Sequence, residues 1–148
     1  MALRNIVTEG DSVLRKTCRS VLNFDEKLAQ LLDDMKETMD KAEGVGLAAP
    51  QVGILRRVCV VDVGDGPIEL VNPVIESVEG EQVGSEGCLS LPGKSGIVCR
   101  PMKVTVRAQD RNGNTFTVTG EELKARAFCH EIDHLNGILY VDKVIRKD

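Results

Sequence analysis

A chain of 148 residues can bury most of the apolar surface that its unfolded form exposes, and its length suits one domain spanning 1–148. Apolar residues at 42% and charged residues at 28% are the proportions of a soluble globular protein, and no apolar run is long enough to cross a bilayer or serve as a secretory leader. A net charge of −4, with no Lys/Arg run longer than Arg56-Arg57, lacks the basic footprint of a nucleic-acid binder, so no direct nucleic-acid or membrane partner is expected. The five cysteines, at 18, 59, 88, 99 and 129, are odd in number and form no C-x-x-C pair. That usage fits free thiols or a metal ligand in a reducing, cytoplasmic setting. One Tyr, three Phe and no Trp leave the core to Leu, Val, Ile and Met.

In chain order, residues 3–22 scatter Leu3, Ile6, Val7, Val13 and Leu14 around Gly10-Asp11-Ser12, the pattern of an irregular arm laid on the core. After Asn23 or Asp25, either one a competent N-cap, Leu28, Leu31, Leu32, Met35, Met39 and Ala42 recur at helical spacing. They predict one long N-terminal amphipathic helix that runs to about Glu43 and stops at Gly44, its Met/Leu stripe turned to the core. In the next stretch, Gly44-Val45-Gly46-Leu47-Ala48-Ala49-Pro50-Gln51, two glycines allow either close backbone approach to a ligand or a tight crossing under a neighbouring element. Strands are expected at Arg57–Val63, at Ile68–Val71 and, after Asn72-Pro73, at Val74–Val78. Val104–Ala108 and Thr115–Thr119 form a hairpin across Arg111-Asn112-Gly113-Asn114. A closing helix begins near Gly120-Glu121-Glu122 and ends at about Asn136-Gly137, and Ile138–Val144 reads as a last short strand.

The closing helix carries the only two histidines of the chain, in His130-Glu131-Ile132-Asp133-His134. Residues four apart share a helix face, so both imidazoles can meet one metal ion, and Glu131 occupies the H-E-x-x-H slot of a general base. The plainer alternative is two histidines on a polar face. Leu123, Ala127, His130 and His134 share that face, which would turn a metal toward the sheet. The fold class is therefore α+β, with small antiparallel or mixed β-sheets packed around a central metal-binding helix.

A catalytic tetrahedral site needs three protein ligands and one open position. The extended pattern H-E-x-x-H-x-x-G-x-x-H keeps Gly137 in register but places Tyr140 in its last slot, and only fourteen residues follow His134, so the third ligand is sought upstream. Cys88, in Ser85-Glu86-Gly87-Cys88-Leu89-Ser90-Leu91-Pro92-Gly93, is the best candidate, because thiolate beside two imidazoles suits iron or zinc. A buried thiol is its alternative. Cys18, Cys59 and Cys99 stand in apolar or strand-like settings and read as buried and inert. Cys129 points about 100° away from His130 on a helix.

Three segments together resemble the signature motifs of the peptide deformylase family: Gly44-Val45-Gly46-Leu47-Ala48-Ala49-Pro50-Gln51, Glu86-Gly87-Cys88-Leu89-Ser90 and His130-Glu131-Ile132-Asp133-His134. They stand in the family's order and spacing, and the likeness extends over nearly the whole chain. The resemblance implies a metal-dependent hydrolase that removes the N-formyl group from formyl-methionyl nascent peptides, releasing formate. It implies a divalent metal on Cys88, His130 and His134, Fe(II) in the cell, with Zn, Ni or Co able to substitute. Metal-activated water would attack the formyl carbon with Glu131 as base and then acid, while the Gln51 amide and the Leu89 backbone N–H steady the oxyanion. Substrate would lie extended beside Val45-Gly46, its methionine side chain in a pocket of Val45, Leu123, Ala127 and the His130 ring. The sequence leaves open which way Arg126 and Phe128 point. A transient contact with the ribosome and a monomeric state complete the expectation.

Glu86 reads as an anchor behind a ligand and Asp133 as a partner for Arg100, or both as solvated carboxylates. Two residues depart from the family pattern: Cys129 where glutamine is usual, and Ser12 where proline is usual. The rival readings are a zincin-type peptidase, and an inactive relative whose structural metal site closes on a fourth ligand, for which Cys129 is the one to check.

Overall fold

The protein is described by a computed structural model covering residues 2–147. Asp25 opens α1 (Glu26–Lys41): its side chain accepts the backbone N–H of Leu28 at 3.0 Å, which occupies one of the donors a helix start leaves free. Leu28, Leu31, Leu32, Met35 and Met39 are buried along one stripe. The helix closes two residues earlier than expected. Gly44 N–H reaches Met39 O and Glu43 N–H reaches Asp40 O, so the left-handed residue of this closure is Glu43, at φ 58°.

The strands β1 (Gly46–Ala48), β2 (Val58–Val61), β3 (Ile68–Glu79), β4 (Gln82–Cys88), β5 (Leu91–Arg100), β6 (Lys103–Gln109), β7 (Thr115–Glu121) and β8 (Val144–Lys147) pair only antiparallel. They form a five-stranded sheet in the order β1-β2-β3-β6-β7 and a three-stranded sheet in the order β4-β5-β8. Between β7 and β8 comes α2 (Leu123–Leu135). The fold is thus α+β, with antiparallel sheets and two α-helices. No helix among the described residues is long and apolar enough to cross a membrane.

Every side chain of β2 is buried because both faces of its sheet are covered. Alternation sends Val58 and Val60 into one cluster with α1, and Cys59 and Val61 into another with Ala125, Phe128, Ile132 and Leu135 of α2. On β1 the same alternation turns Leu47 toward α1 and Ala48 toward α2. A third cluster, with Leu14, Leu91, Val98, Leu139 and Tyr140, lies where the N-terminal arm meets β5.

Beyond the earlier end of α1 and the unexpected short strand β1, the structure differs from the expected elements in three places. Ile68–Val71 and Val74–Val78 are one strand, β3. Asn72 adopts φ 51°, which asparagine tolerates, and its amide bonds Val21 N, Val21 O and Gln109 Oε1, so the ladder to β6 shifts register there and continues. β4 and β5 occupy a stretch in which no strand was expected, because its glycines and proline have low strand propensity; tertiary pairing overrides that propensity. Ile138–Val144 is not a strand: a 3-10 turn spans Tyr140–Lys143, and pairing begins only at Val144, whose side chain lies over Gly96, where a Cβ would stand 2.6 Å from Val144 Cγ2.

The arm is fastened to α1 through Asp34, which accepts from Ala2 N at 2.8 Å, Gln30 Nε2 at 2.7 Å and Arg4 Nε at 3.0 Å. Burial alone would raise this carboxyl, but the three donors outweigh it and hold its pKa below the ordinary value. A depressed carboxyl contributes stability above its unfolded pKa of about 4, and loses it as pH falls through the lower folded value. Asp34→Asn should therefore lower the urea midpoint at pH 7 and flatten its decline below about pH 4. A variant with an unaltered acid slope would show that Asp34 is not the group responsible.

Candidate metal centre and its cleft

On α2 the rings of His130 and His134 lie one turn apart, with centroids separated by 5.0 Å. Cys88 closes β4 just before the Leu89-Ser90 turn, and its Sγ stands 3.3 Å from His134 Nε2. One donor atom from each of Cys88, His130 and His134 falls within 4.8 Å of the others, and both imidazoles are buried. Two residues before the cysteine, Glu86 Oε1 sits 2.7 Å from His130 Nδ1. Burial would raise the Glu86 carboxyl, but His130 and Arg100 hold it well below the usual carboxylate range, so it is an anion that can only accept. Nδ1 therefore carries a hydrogen, and Nε2 is the nitrogen at which a Lewis acid can take the place of a proton.

Behind these donors lies a buried charge network. Arg100 grips Glu86 with Nε at 3.0 Å and Nη2 at 2.6 Å, and gives Nη1 to Asp133 Oδ2 at 2.7 Å. Arg126 donates Nη1 to Glu86 Oε2 at 2.6 Å and to Val98 O at 3.2 Å, while Lys143 reaches Asp133 at 3.0 Å. Glu86 and Asp133 are thus both ion-paired. The sequence left the direction of Arg126 open; its spacing of four from His130, the same rule that joins the two histidines, is the signal that finds it.

In front of the donors is a cavity of about 310 Å³. Val45, Gly46, Gln51, Cys88, Leu89, Leu123, Ala127, His130 and Glu131 line it; of the site residues expected from sequence only His134 lies behind its wall. Val45 and Leu123 stand half-exposed at the rim. The Gln51 side chain is held at both ends: Oε1 accepts from Ala48 N at 2.9 Å, and Nε2 donates to Ser90 Oγ at 3.1 Å and points to Cys88 Sγ at 3.4 Å. Ser90 in this role was not foreseen. Glu131 is buried against Gly46, where a Cβ would come within 2.8 Å of its carboxyl carbon, and Oε1 has no hydrogen-bond partner among the described residues.

Burial raises the Glu131 carboxyl to about 7, with His130 and Arg100 pulling the other way. For His130 burial opposes charge, yet Glu131, Cys88 and Glu86 outweigh it and lift the ring to about 10, whereas burial and the neighbouring His130 push His134 down to about 3. Glu131, Cys88 and Glu86 thus surround His130 with a field that draws positive charge, and one soft and two borderline donors beside a carboxylate suit a divalent transition metal. Cys129 takes no part. It is buried in the cluster with Ala48, Cys59 and Phe128, so the donor group lacks the fourth member of a closed structural site among the described residues. Cys18 and Cys59 are buried, but Cys99 is exposed on β5, against the expectation that its strand-like setting would bury it.

The sequence model of one family, described as polypeptide deformylase, matches residues 3–148. The peptide deformylase of Caldicellulosiruptor bescii is 63% identical over 146 residues, covering 99% of this chain and 88% of its own. That of Clostridium botulinum is 57% identical over 147 residues, covering 99% of this chain and 100% of its own. The crystal structure of peptide deformylase from Thermotoga maritima matches with a TM-score of 0.94 at 43% identity, over 96% of this chain and 97% of that one.

Removing one member of a buried ion-pair network leaves the others uncompensated. Glu86→Gln should destabilise the protein by about 3–5 kcal/mol, since Arg100 would keep Asp133 alone and Arg126 would lose its carboxylate partner. Urea unfolding at pH 7 measures this, and a loss under about 1 kcal/mol would mean that the network relaxes around a neutral amide.

Proposed function

Because the chain belongs to the polypeptide deformylase family, we propose that its cleft works as that family's hydrolytic site, with each role assigned to a named residue of this sequence. The enzyme is a metal-dependent hydrolase that removes the N-formyl group of newly made polypeptides. The observation that carries the residue assignment is the meeting of Cys88, His130 and His134 at the wall of a cavity that Glu131 and Gln51 also line. These three residues hold the metal, Fe(II) in the cell, with Zn, Ni or Co as substitutes. When bound there, it supplies a Lewis acid that makes water acidic enough to ionise near neutral pH.

The remaining steps fall to the chain's own groups. Glu131, desolvated and raised to about 7, takes a proton from the attacking water and returns it to the leaving amine; a carboxyl near the working pH serves both directions. The Gln51 amide is oriented before substrate arrives, because Ala48 N–H holds its oxygen and Ser90 Oγ its nitrogen. Its second N–H, now toward Cys88 Sγ, and the backbone N–H of Leu89 are the donors for the developing oxyanion. β1 is an edge of its sheet, which favours an extended peptide laid along Val45-Gly46, its methionine side chain against Leu123 and Ala127. The whole chain acts as one catalytic domain around α2. It is a cytoplasmic monomer that touches the ribosome only transiently.

Gln51→Ala should load metal as the parent does yet lose about 10²–10³ in kcat for formyl-Met-Ala, because one oxyanion donor is gone. Glu131→Ala should also load metal and release almost no formate. Metal analysis of anaerobically purified protein beside a formate assay checks both. Unchanged turnover in either variant would remove that residue from the mechanism.

A further inference from the structure

Three residues of β4 lie at intervals of two, Gly84, Glu86 and Cys88, and three residues of α2 at intervals of four, Arg126, His130 and His134. Two residues of strand advance about 6.8 Å and four of helix about 6 Å, so two such rows can run side by side in step. They do so here. Gly84 lies against Arg126, where a Cβ would stand 3.3 Å from Nη2; Glu86 meets both Arg126 Nη1 at 2.6 Å and His130 Nδ1 at 2.7 Å; Cys88 Sγ meets His134 Nε2 at 3.3 Å. The last two rungs join residues assigned above as ligands or their direct supports. The first contains no ligand.

We propose that Arg126 is a positioning residue for the metal centre: seated on Gly84 and bound to Glu86, it fixes the register of α2 against β4 and so the separation of Cys88 from the two histidines. The inference rests on the assignment of those three residues as ligands. Arg100 fixes a different point: from β5 it reaches Glu86 and, on α2, Asp133 Oδ2 at 2.7 Å, a carboxylate that it shares with Lys143, whereas Arg126 binds from the helix the carboxylate that holds His130. Arg126 and His130 grip the two oxygens of one carboxylate from successive turns, which defines both the rotation and the translation of α2. Its guanidinium is buried, and its second hydrogen bond, to Val98 O, ties it to β5 as well. Gly84 is part of the device, since a Cβ there would press on Nη2 and shift the guanidinium by a few tenths of an ångström against the carboxylate.

The test is Co(II) binding to metal-free protein under anaerobic conditions, followed by competition with a chelator. The thiolate-to-metal absorption band should appear in the parent and vanish in Cys88→Ser; its survival there would refute the ligand assignment by itself, without reference to Arg126. Arg126→Met, similar in length but uncharged, should keep the band and bind Co(II) about 10–100-fold more weakly, with Arg126→Lys in between. Gly84→Ala preserves every charge and should weaken binding by a smaller factor, leaving the unfolding midpoint of the metal-free protein near the parent's. Combined with Arg126→Met it should add nothing further. If Arg126→Met fails to fold, Gly84→Ala alone decides. Co(II) affinity equal to the parent's in Arg126→Met or in Gly84→Ala, whatever happens to stability, would overturn the proposal.

Discussion

The carboxylate of Glu86 is the point at which the three-stranded sheet and α2 are joined. It stands on the three-stranded sheet and receives guanidinium groups from β5 and α2 and an imidazole from α2. Taking such an anion out of water costs several kcal/mol unless every partner is present, so the arrangement tolerates little looseness. A movement of α2 away from β4 would strand a negative charge on one side and positive charge on the other. The same group sets which nitrogen of His130 bears hydrogen. The electronic state of the centre and the packing of the helix are therefore fixed by one side chain.

The other side of α2 obeys a different constraint, that of close approach. Ala125 and Phe128 enter the cluster with Cys59, Val61 and Leu70, and the sheet is covered by α1 on its far face, so the whole wall behind β1 is dry. Gly46 has no Cβ, and that gap is filled by the carboxylate of Glu131. Burial in this setting is what raises Glu131 toward neutrality. A side chain at residue 46 would both displace the carboxylate and narrow the cavity in front of it.

What could be read in the sequence was what is written locally. A helical spacing of four announced His130 and His134, and the stripe from Leu28 to Met39 announced the face of α1 that is buried. Gly137, at φ 74°, ends α2 where glycine was expected, with Ile138 N–H returning to Asp133 O. Cys88 lies 42 residues before His130, and spacing alone left it a candidate; the family motifs and then the coordinates brought it to the imidazoles. The strands that carry it were illegible, because Gly84, Gly87, Pro92, Gly93 and Gly96 lower β propensity and serve instead to seat Arg126 and Val144 or to turn the chain. Arg126 was visible as a residue but not as a contact, since its partner belongs to that unrecognised strand.

Buried polar atoms without a hydrogen-bond partner are few among the described residues, and they are not evenly spread. Of the four side-chain atoms in that state, Glu37 Oε2, Glu131 Oε1, His134 Nδ1 and Tyr140 Oη, two belong to the H-E-x-x-H turn of α2 and a third to Tyr140, whose ring stacks 6.1 Å from that of His130. Each such atom typically costs about 1–3 kcal/mol, and a chain selected for stability alone would replace them with apolar groups of the same shape. At Tyr140 that argument has full force, because phenylalanine would fill the same volume and keep the ring against His130 without the stranded hydroxyl. At Glu131 it weighs differently: in the role proposed for it as base, a carboxylate already satisfied by the protein could not take a proton from water. On that proposal, the stability surrendered in the turn is what leaves its carboxylate free to react, and the ion pairs around Glu86 hold the turn in place.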